Sequence, residues 1–178
     1  MTSFTSQTLI ILLIQVALLP MLLHCRVFFP MDENLITQTC QKTKDPAACE
    51  GLLRSDSRSL EAKDATALVF IVTDISQTKA NQGQKKIEEL LRAPGAPTDK
   101  LNSCNENYQN VIEDIQQASS VLTNGDYLAA QDRILDTVHE ADLCDEQFAG
   151  SDNPLSGYTK AIHDTGTVGS EIAGQLTP

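Results

Sequence analysis

Leu101, Cys104, Tyr108, Val111, Ile115, Ala118 and Leu122 follow one another at steps of three, four, three, four, three and four. That alternation holds all seven on one stripe of an α-helix, because 3.6 residues complete a turn. Such a stripe has to be buried against other helices, as in a bundle. Three further segments offer matching faces, and none shows sustained strand alternation. From Asp64 to about Leu91 the series is Leu68, Val72, Ile75, a polar middle, then Ile87, Leu90 and Leu91. Later come Ala130, Ile134, Val138, Ala141, Cys144 and Phe148, and finally Tyr158, Ile162, Val168, Ile172 and Leu176.

The breaks between these segments are marked by turn residues. "PGAP" at 94–97 ends the first long helix, since proline cannot donate the helical hydrogen bond, and Asp99 is the expected N-cap of the second. Asn124-Gly125 closes that helix, and Asp126 can cap the next by accepting backbone N–H bonds. "AGSDNPLSG" at 149–157 is a turn-rich loop. Ahead of all four lies "NLITQTCQKTKDPAACEGLL", where Asp45-Pro46 places a cap and an N1 proline in sequence. This unit reads as a small helical hairpin or two short bent helices. Short connections favour antiparallel neighbours. The expected fold is therefore all-α: an up-down-up-down four-helix bundle with an N-terminal helical hairpin extension. With no Trp and 4% aromatic residues, its core is expected to be mainly aliphatic.

Leu9 to Leu23, "LIILLIQVALLPMLL", is shorter than the roughly 20 residues that span a bilayer, and it contains Pro20. A secretory signal peptide over residues 1–30, cleaved between Cys25 and Met31, fits it better than a retained anchor. No Lys or Arg precedes the run, and no clean small-x-small site follows it. The mature domain is then 31–178. Taking away residues 1–30 removes Arg26 and no acid from 13 Lys+Arg and 24 Asp+Glu, leaving a formal charge of −12. Nucleic acid and anionic membrane are poor partners for such a surface.

Four of the five cysteines remain: Cys40, Cys49, Cys104 and Cys144. An even count in a secreted chain implies two disulfides. In antiparallel helices, residues equidistant from the turn lie opposite each other. Cys104 is twenty residues before Asn124 and Cys144 twenty after it, while Lys44-Asp45 is midway between Cys40 and Cys49. The pairing predicted is Cys40–Cys49 and Cys104–Cys144. On the chain-entropy model these contribute about 2.7 and 3.9 kcal/mol.

Catalytic machinery is not evident. His139 and His163 lie on different helices without metal-ligand spacing, and with both disulfides formed no cysteine is left as a nucleophile. There is no nucleophile elbow, phosphate-binding loop or dinucleotide fingerprint. Glu88-Glu89 beside Lys85-Lys86 reads as i,i+3 and i,i+4 pairing on a solvated helix face. Asn102-Ser103-Cys104 is a weak glycosylation site whose cysteine is already committed. The residues thus favour a secreted binding protein over an enzyme, with no catalytic residue, cofactor or metal expected.

The hairpin "LITQTCQKTKDPAACEGLL", the paired cysteines and "CDEQFAGSDNPLS" resemble the plant invertase/pectin methylesterase inhibitor family over about Asn34 to Leu176. The four-cysteine pattern is the most specific element. The resemblance implies a disulfide-stapled four-helix bundle with an N-terminal hairpin, a plant source, and secretion to the cell wall or passage to the vacuole. It also implies a target enzyme in a 1:1 complex: acid invertase in one branch, pectin methylesterase in the other. "DATALVFIVTDISQTKANQGQKKIEELL" and "FAGSDNPLS" are more similar to the invertase branch, so inhibition of acid invertase (β-fructofuranosidase) is the leading expectation. Pectin methylesterase and a non-inhibitory role are the alternatives. Carboxylates brought near the target's own acids would weaken binding as pH rises.

The turn "TNGDYLAAQD" runs against that leaning. Invertase inhibitors resemble one another in placing Pro-Lys-Phe after Gly-Asp, on a tip that enters the enzyme's acidic cleft. Here Tyr127, Leu128 and Ala129 occupy those positions, and Leu128 cannot supply the charged contact of a lysine. "GDYLAA" is closer to the Gly-Asp-Tyr of the other branch. Asp126, Tyr127 and Leu128 are the candidate contact tip; the plainer alternative is that Asp126 only caps and Tyr127 only packs over the bundle end. In the pectin methylesterase branch the resemblance implies a grip by the long faces of the bundle helices.

Overall fold

The computed structural model describes residues 31–177; the expected signal segment lies outside them. Three of its helices start at the same four-residue device, Asp-x-x-Ala. The carboxylates of Asp45, Asp64 and Asp126 accept from the backbone N–H of Ala48 (3.0 Å), Ala67 (2.8 Å) and Ala129 (3.1 Å). Each satisfies one of the donors that a helix start leaves free. The elements are α1 (Met31–Cys40), α2 (Pro46–Arg54), a 3-10 turn (Ser57–Glu61), α3 (Ala65–Leu91), α4 (Thr98–Thr123), α5 (Tyr127–Gln147) and α6 (Ser156–Gly174). The described residues contain no strand.

Asp99 does not cap α4. The helix begins one residue before it, at Thr98, with Pro97 in the N-cap position and no side-chain cap bond. Leu101 N–H bonds the Pro97 carbonyl at 3.0 Å, so Asp99 sits inside the first turn, where its charge still suits the helix dipole.

α3 to α6 form the up-down-up-down bundle, α3 packing on α4 and α6, and α5 on α4 and α6. All seven residues of the α4 stripe are buried. The core has two storeys. One joins Leu68, Val72, Leu122, Ala130, Ile134 and Ile172 to Ile36 and Leu53 of the hairpin. The other joins Ile87, Leu101, Tyr108, Val111, Ile115, Phe148, Leu155 and Ile162. A disulfide lies in each: Cys40–Cys49 with Cα atoms 5.5 Å apart, and Cys104–Cys144 at 4.7 Å.

The hairpin of α1 and α2 is tied to the bundle by polar bonds as well. Lys44 N–H donates to Glu171 Oε2 at 3.0 Å, and Gln175 Nε2 to the Thr39 carbonyl at 3.2 Å. Arg58 of the 3-10 turn bridges Asp56 and Asp74 of α3, each at 2.7 Å. Among the described residues no helix is long and apolar enough to cross a membrane.

Candidate functional site

The turn between α4 and α5 is built to be rigid. Gly125 takes φ +79°, the left-handed conformation that an L side chain resists. Its N–H bonds the Leu122 carbonyl at 3.0 Å, and the Asp126 N–H bonds the Val121 carbonyl at 3.0 Å. Those two bonds make a Schellman motif, which satisfies the last carbonyls of α4. Asp126 then starts α5 at once through its bond to Ala129. The turn brings Asp126, Tyr127 and Leu128 to one tip and divides their roles. The Asp126 carboxylate is held by the cap, Tyr127 is half-buried against the hairpin-side core, and Leu128 is 61% exposed.

Alongside the tip, a polar seam runs between α4 and α5 that the apolar pattern did not announce. Asn110, Glu113, Asp114 and Gln117 of α4 face Arg133, Asp136, His139 and Glu140 of α5 across a groove of about 260 Å³. Glu140 Oε2 accepts from Asn107 Nδ2 at 2.8 Å and Asn110 Nδ2 at 3.2 Å. Arg133 lies 3.6 Å from Asp114 and 3.3 Å from Asp136. Burial pushes the Asp114 carboxyl up to about 6; Asp136 and Glu140 push the same way, and Arg133 only partly opposes them. The steps of three, four and three from Asn107 to Gln117 form a polar stripe beside the apolar one, and that was the available signal.

A larger groove, about 580 Å³, separates the hairpin from α6. Its lysines are paired within the chain, Lys44 with Glu171 and Lys160 with Asp164, and the Asp45 carboxylate caps α2. It is the seam by which the hairpin docks. His139 and His163 lie on different helices, His163 within 4 Å of Asp142 and Asp164. No group of three potential metal ligands occurs among the described residues.

Residues 34–173 match the model of the family described as plant invertase/pectin methylesterase inhibitor. The chain belongs to that family. It is 33% identical over 153 residues to a pectinesterase inhibitor of Actinidia deliciosa, covering 85% of this chain and 82% of the relative. It is 28% identical over 138 residues to cell wall / vacuolar inhibitor of fructosidase 1 of Arabidopsis thaliana, covering 77% of this chain and 66% of that one. The fold matches a crystal structure of a mutant pectin methylesterase inhibitor from Arabidopsis with a TM-score of 0.70. That match has 21% identity and covers 80% of this chain and 97% of the other. The plant invertase/pectin methylesterase inhibitor family acts on enzymes and does not itself catalyse, and this member is accordingly not an enzyme.

Proposed function

We propose that this protein is a secreted inhibitor of a pectin methylesterase, acting in the cell wall as a 1:1 complex through the tip that Asp126, Tyr127 and Leu128 build. The observation that carries the reading is Leu128, 61% exposed at the position where an invertase plug needs a cation. The nearest cation on α5, Arg133, is engaged by Asp114 and Asp136. A tip of exposed leucine, with Asp132 one turn behind it, offers no cation to an acidic sucrose-binding cleft. The 33% identity to a pectinesterase inhibitor supports the same choice.

A second reading, inhibition of acid invertase in the wall or the vacuole, draws on the 28% identity to an inhibitor of fructosidase. The deciding experiment is an inhibition titration of disulfide-intact residues 31–178 against one pectin methylesterase and one acid invertase in parallel, at mildly acidic pH. Inhibition of the methylesterase alone is expected. Inhibition of the invertase alone would overturn the reading, and inhibition of neither would leave a family member without either activity.

A further inference from the structure

Asn124-Gly125 is the one Asn-Gly pair in the sequence, and it stands in the turn that joins α4 to α5. Such a pair carries a reaction of its own. Gly125 has no β-carbon, so its backbone nitrogen approaches the Asn124 side-chain amide unhindered. Asn124 is exposed and its side-chain amide bonds no other described residue, which leaves Cγ open to attack. The other asparagines are poorer sites. Asn81 of α3 and Asn102 of α4 lie inside helices before residues that bear side chains, and Asn153 precedes Pro154, which has no N–H.

The folded turn opposes the reaction in two ways. Asn124 has φ −85° and ψ 0°, which sets the Gly125 nitrogen in line with the nitrogen of Asn124 itself, one tetrahedral position away from Cβ. A five-membered ring closes only when the Gly125 nitrogen swings to the Cβ side. The Gly125 N–H also donates to the Leu122 carbonyl at 3.0 Å, so the proton that must leave is held. Beside it the Asp126 N–H donates to the Val121 carbonyl, and the Asp126 carboxylate accepts from the Ala129 N–H at 3.1 Å. Rotation about ψ of Asn124 therefore breaks the Schellman motif.

We propose that Asn124 is a self-modification site gated by this turn: it deamidates through a succinimide formed with Gly125, at the rate at which the turn opens, and the isoaspartyl product keeps the turn open. In the first step a base takes the Gly125 amide proton and the nitrogen bonds to Asn124 Cγ. The Cγ–Nδ2 bond breaks, and ammonia leaves with a proton from water. In the second step water adds to one of the two ring carbonyls from Asn124, and the C–N bond there breaks. Opening at Cγ gives aspartate; opening at the main-chain carbonyl gives isoaspartate, in which the chain runs through Cβ and Cγ. Water is the only co-reactant. Isoaspartate lengthens the backbone by one methylene just before Gly125, so the bonds to Leu122 and Val121 no longer fit together. The reaction is independent of which enzyme the protein inhibits.

The test incubates disulfide-intact residues 31–178 in mildly alkaline buffer, well below the unfolding temperature, beside Asp126→Ala, Asp126→Asn and a peptide of residues 119–131 as the open reference. Peptide mapping and enzymatic methylation of isoaspartate follow Asn124, with Asn81 and Asn102 as internal references, and circular dichroism checks each fold. The peptide is expected to deamidate about tenfold or more faster than the folded protein. Asp126→Ala, which loses the cap, is expected to react about threefold or more faster than wild type, and Asp126→Asn, which keeps it, within about twofold. Urea below the unfolding transition is expected to accelerate wild type in the same way. Aged wild type is expected to melt below an Asn124→Asp variant, because the added methylene and not the charge disrupts the turn. A wild-type rate equal to the peptide's, or no acceleration by either Asp126→Ala or urea, would overturn the gate. Deamidation of Asn81 or Asn102 ahead of Asn124 would remove the site. Aged protein that melts together with Asn124→Asp would overturn the lasting opening.

Discussion

The ring of Tyr108 occupies the space that a side chain on Gly83 would need. A β-carbon built on Gly83 would stand 2.2 Å from Tyr108 Cε2 and 2.7 Å from Cδ2. Tyr108 is fully buried, its hydroxyl lying beside Thr159 without a well-formed hydrogen bond, and burial raises the phenol above its usual range. α3 and α4 therefore meet ring against backbone.

Gly83→Ala tests that contact. In an open helix the change would stabilise by about 1 kcal/mol through propensity. Here the ring in contact is fully buried, and overpacking of this kind costs about 1–3 kcal/mol, so the expected net effect is a loss. Urea unfolding is expected to show a lower midpoint at unchanged slope, partly restored in Gly83→Ala/Tyr108→Leu. A raised midpoint in the single variant would mean that the ring yields.

The same contact shows what the sequence could and could not reveal. The α4 stripe was fully legible because its apolar residues are large and regular. The middle of α3 looked polar, yet Ser76, Ala80 and Gly83 are buried, because small residues there admit the neighbouring helix. Periodicity that counts only large side chains does not see such a face. On α5 the expected Val138 is half-buried and Thr137 takes the inner place, its hydroxyl bonding the Ile134 carbonyl at 2.7 Å. α6 approaches there through Gly166, whose β-carbon would lie 2.6 Å from Thr137 Oγ1. The tip could be located from Asn124-Gly125-Asp126 because caps and left-handed turns are local chemistry. The α4–α5 seam is not legible in local sequence because its partners lie 19 to 33 residues apart.

The two disulfides differ in the length of chain they close, 9 residues for Cys40–Cys49 and 40 for Cys104–Cys144. Chain entropy then ranks them. Cys104→Ala/Cys144→Ala is expected to lose about 4 kcal/mol and Cys40→Ala/Cys49→Ala about 3 kcal/mol. Guanidinium unfolding of both variants measures the order. A larger loss for the hairpin bridge would show that its role is to hold α1 and α2 against the bundle rather than to restrict the unfolded chain.

Asp114 gives the fold a pH dependence of known sign. Its carboxyl rises from 3.8 to about 6 in the folded protein, chiefly through burial and then through Asp136. Between those values the folded state binds more protons than the unfolded state, so stability falls as pH rises through the window. Glu140, Glu113 and His139 border the same seam, and Arg133 is its one cation. The penalty above pH 6 is about 1–2 kcal/mol after allowing for partial solvation. Asp114→Asn is expected to flatten the dependence of the melting temperature between pH 4 and 6.5 and to raise it near neutrality. An unchanged slope in this variant would place the titration elsewhere.

At the tip, residues that hold the turn can be separated from residues that touch the target. Gly125→Ala puts a β-carbon at φ +79° and is expected to cost about 1–2 kcal/mol. Asp126→Ala removes the bond to the Ala129 N–H and costs about 1 kcal/mol, whereas Asp126→Asn keeps a competent cap and discards the charge. Leu128→Ala, at a site 61% exposed, changes stability by less than about 0.5 kcal/mol. Inhibition at a temperature where every variant is folded should rank them differently from stability: Leu128→Ala weakest, Asp126→Asn close to wild type. That crossing of the two orders is what a contact tip produces and a mere connector does not. If Asp126→Asn lost inhibition at full stability, its carboxylate would be a contact as well as a cap. If Leu128→Ala inhibited as well as wild type, the turn would only join two helices.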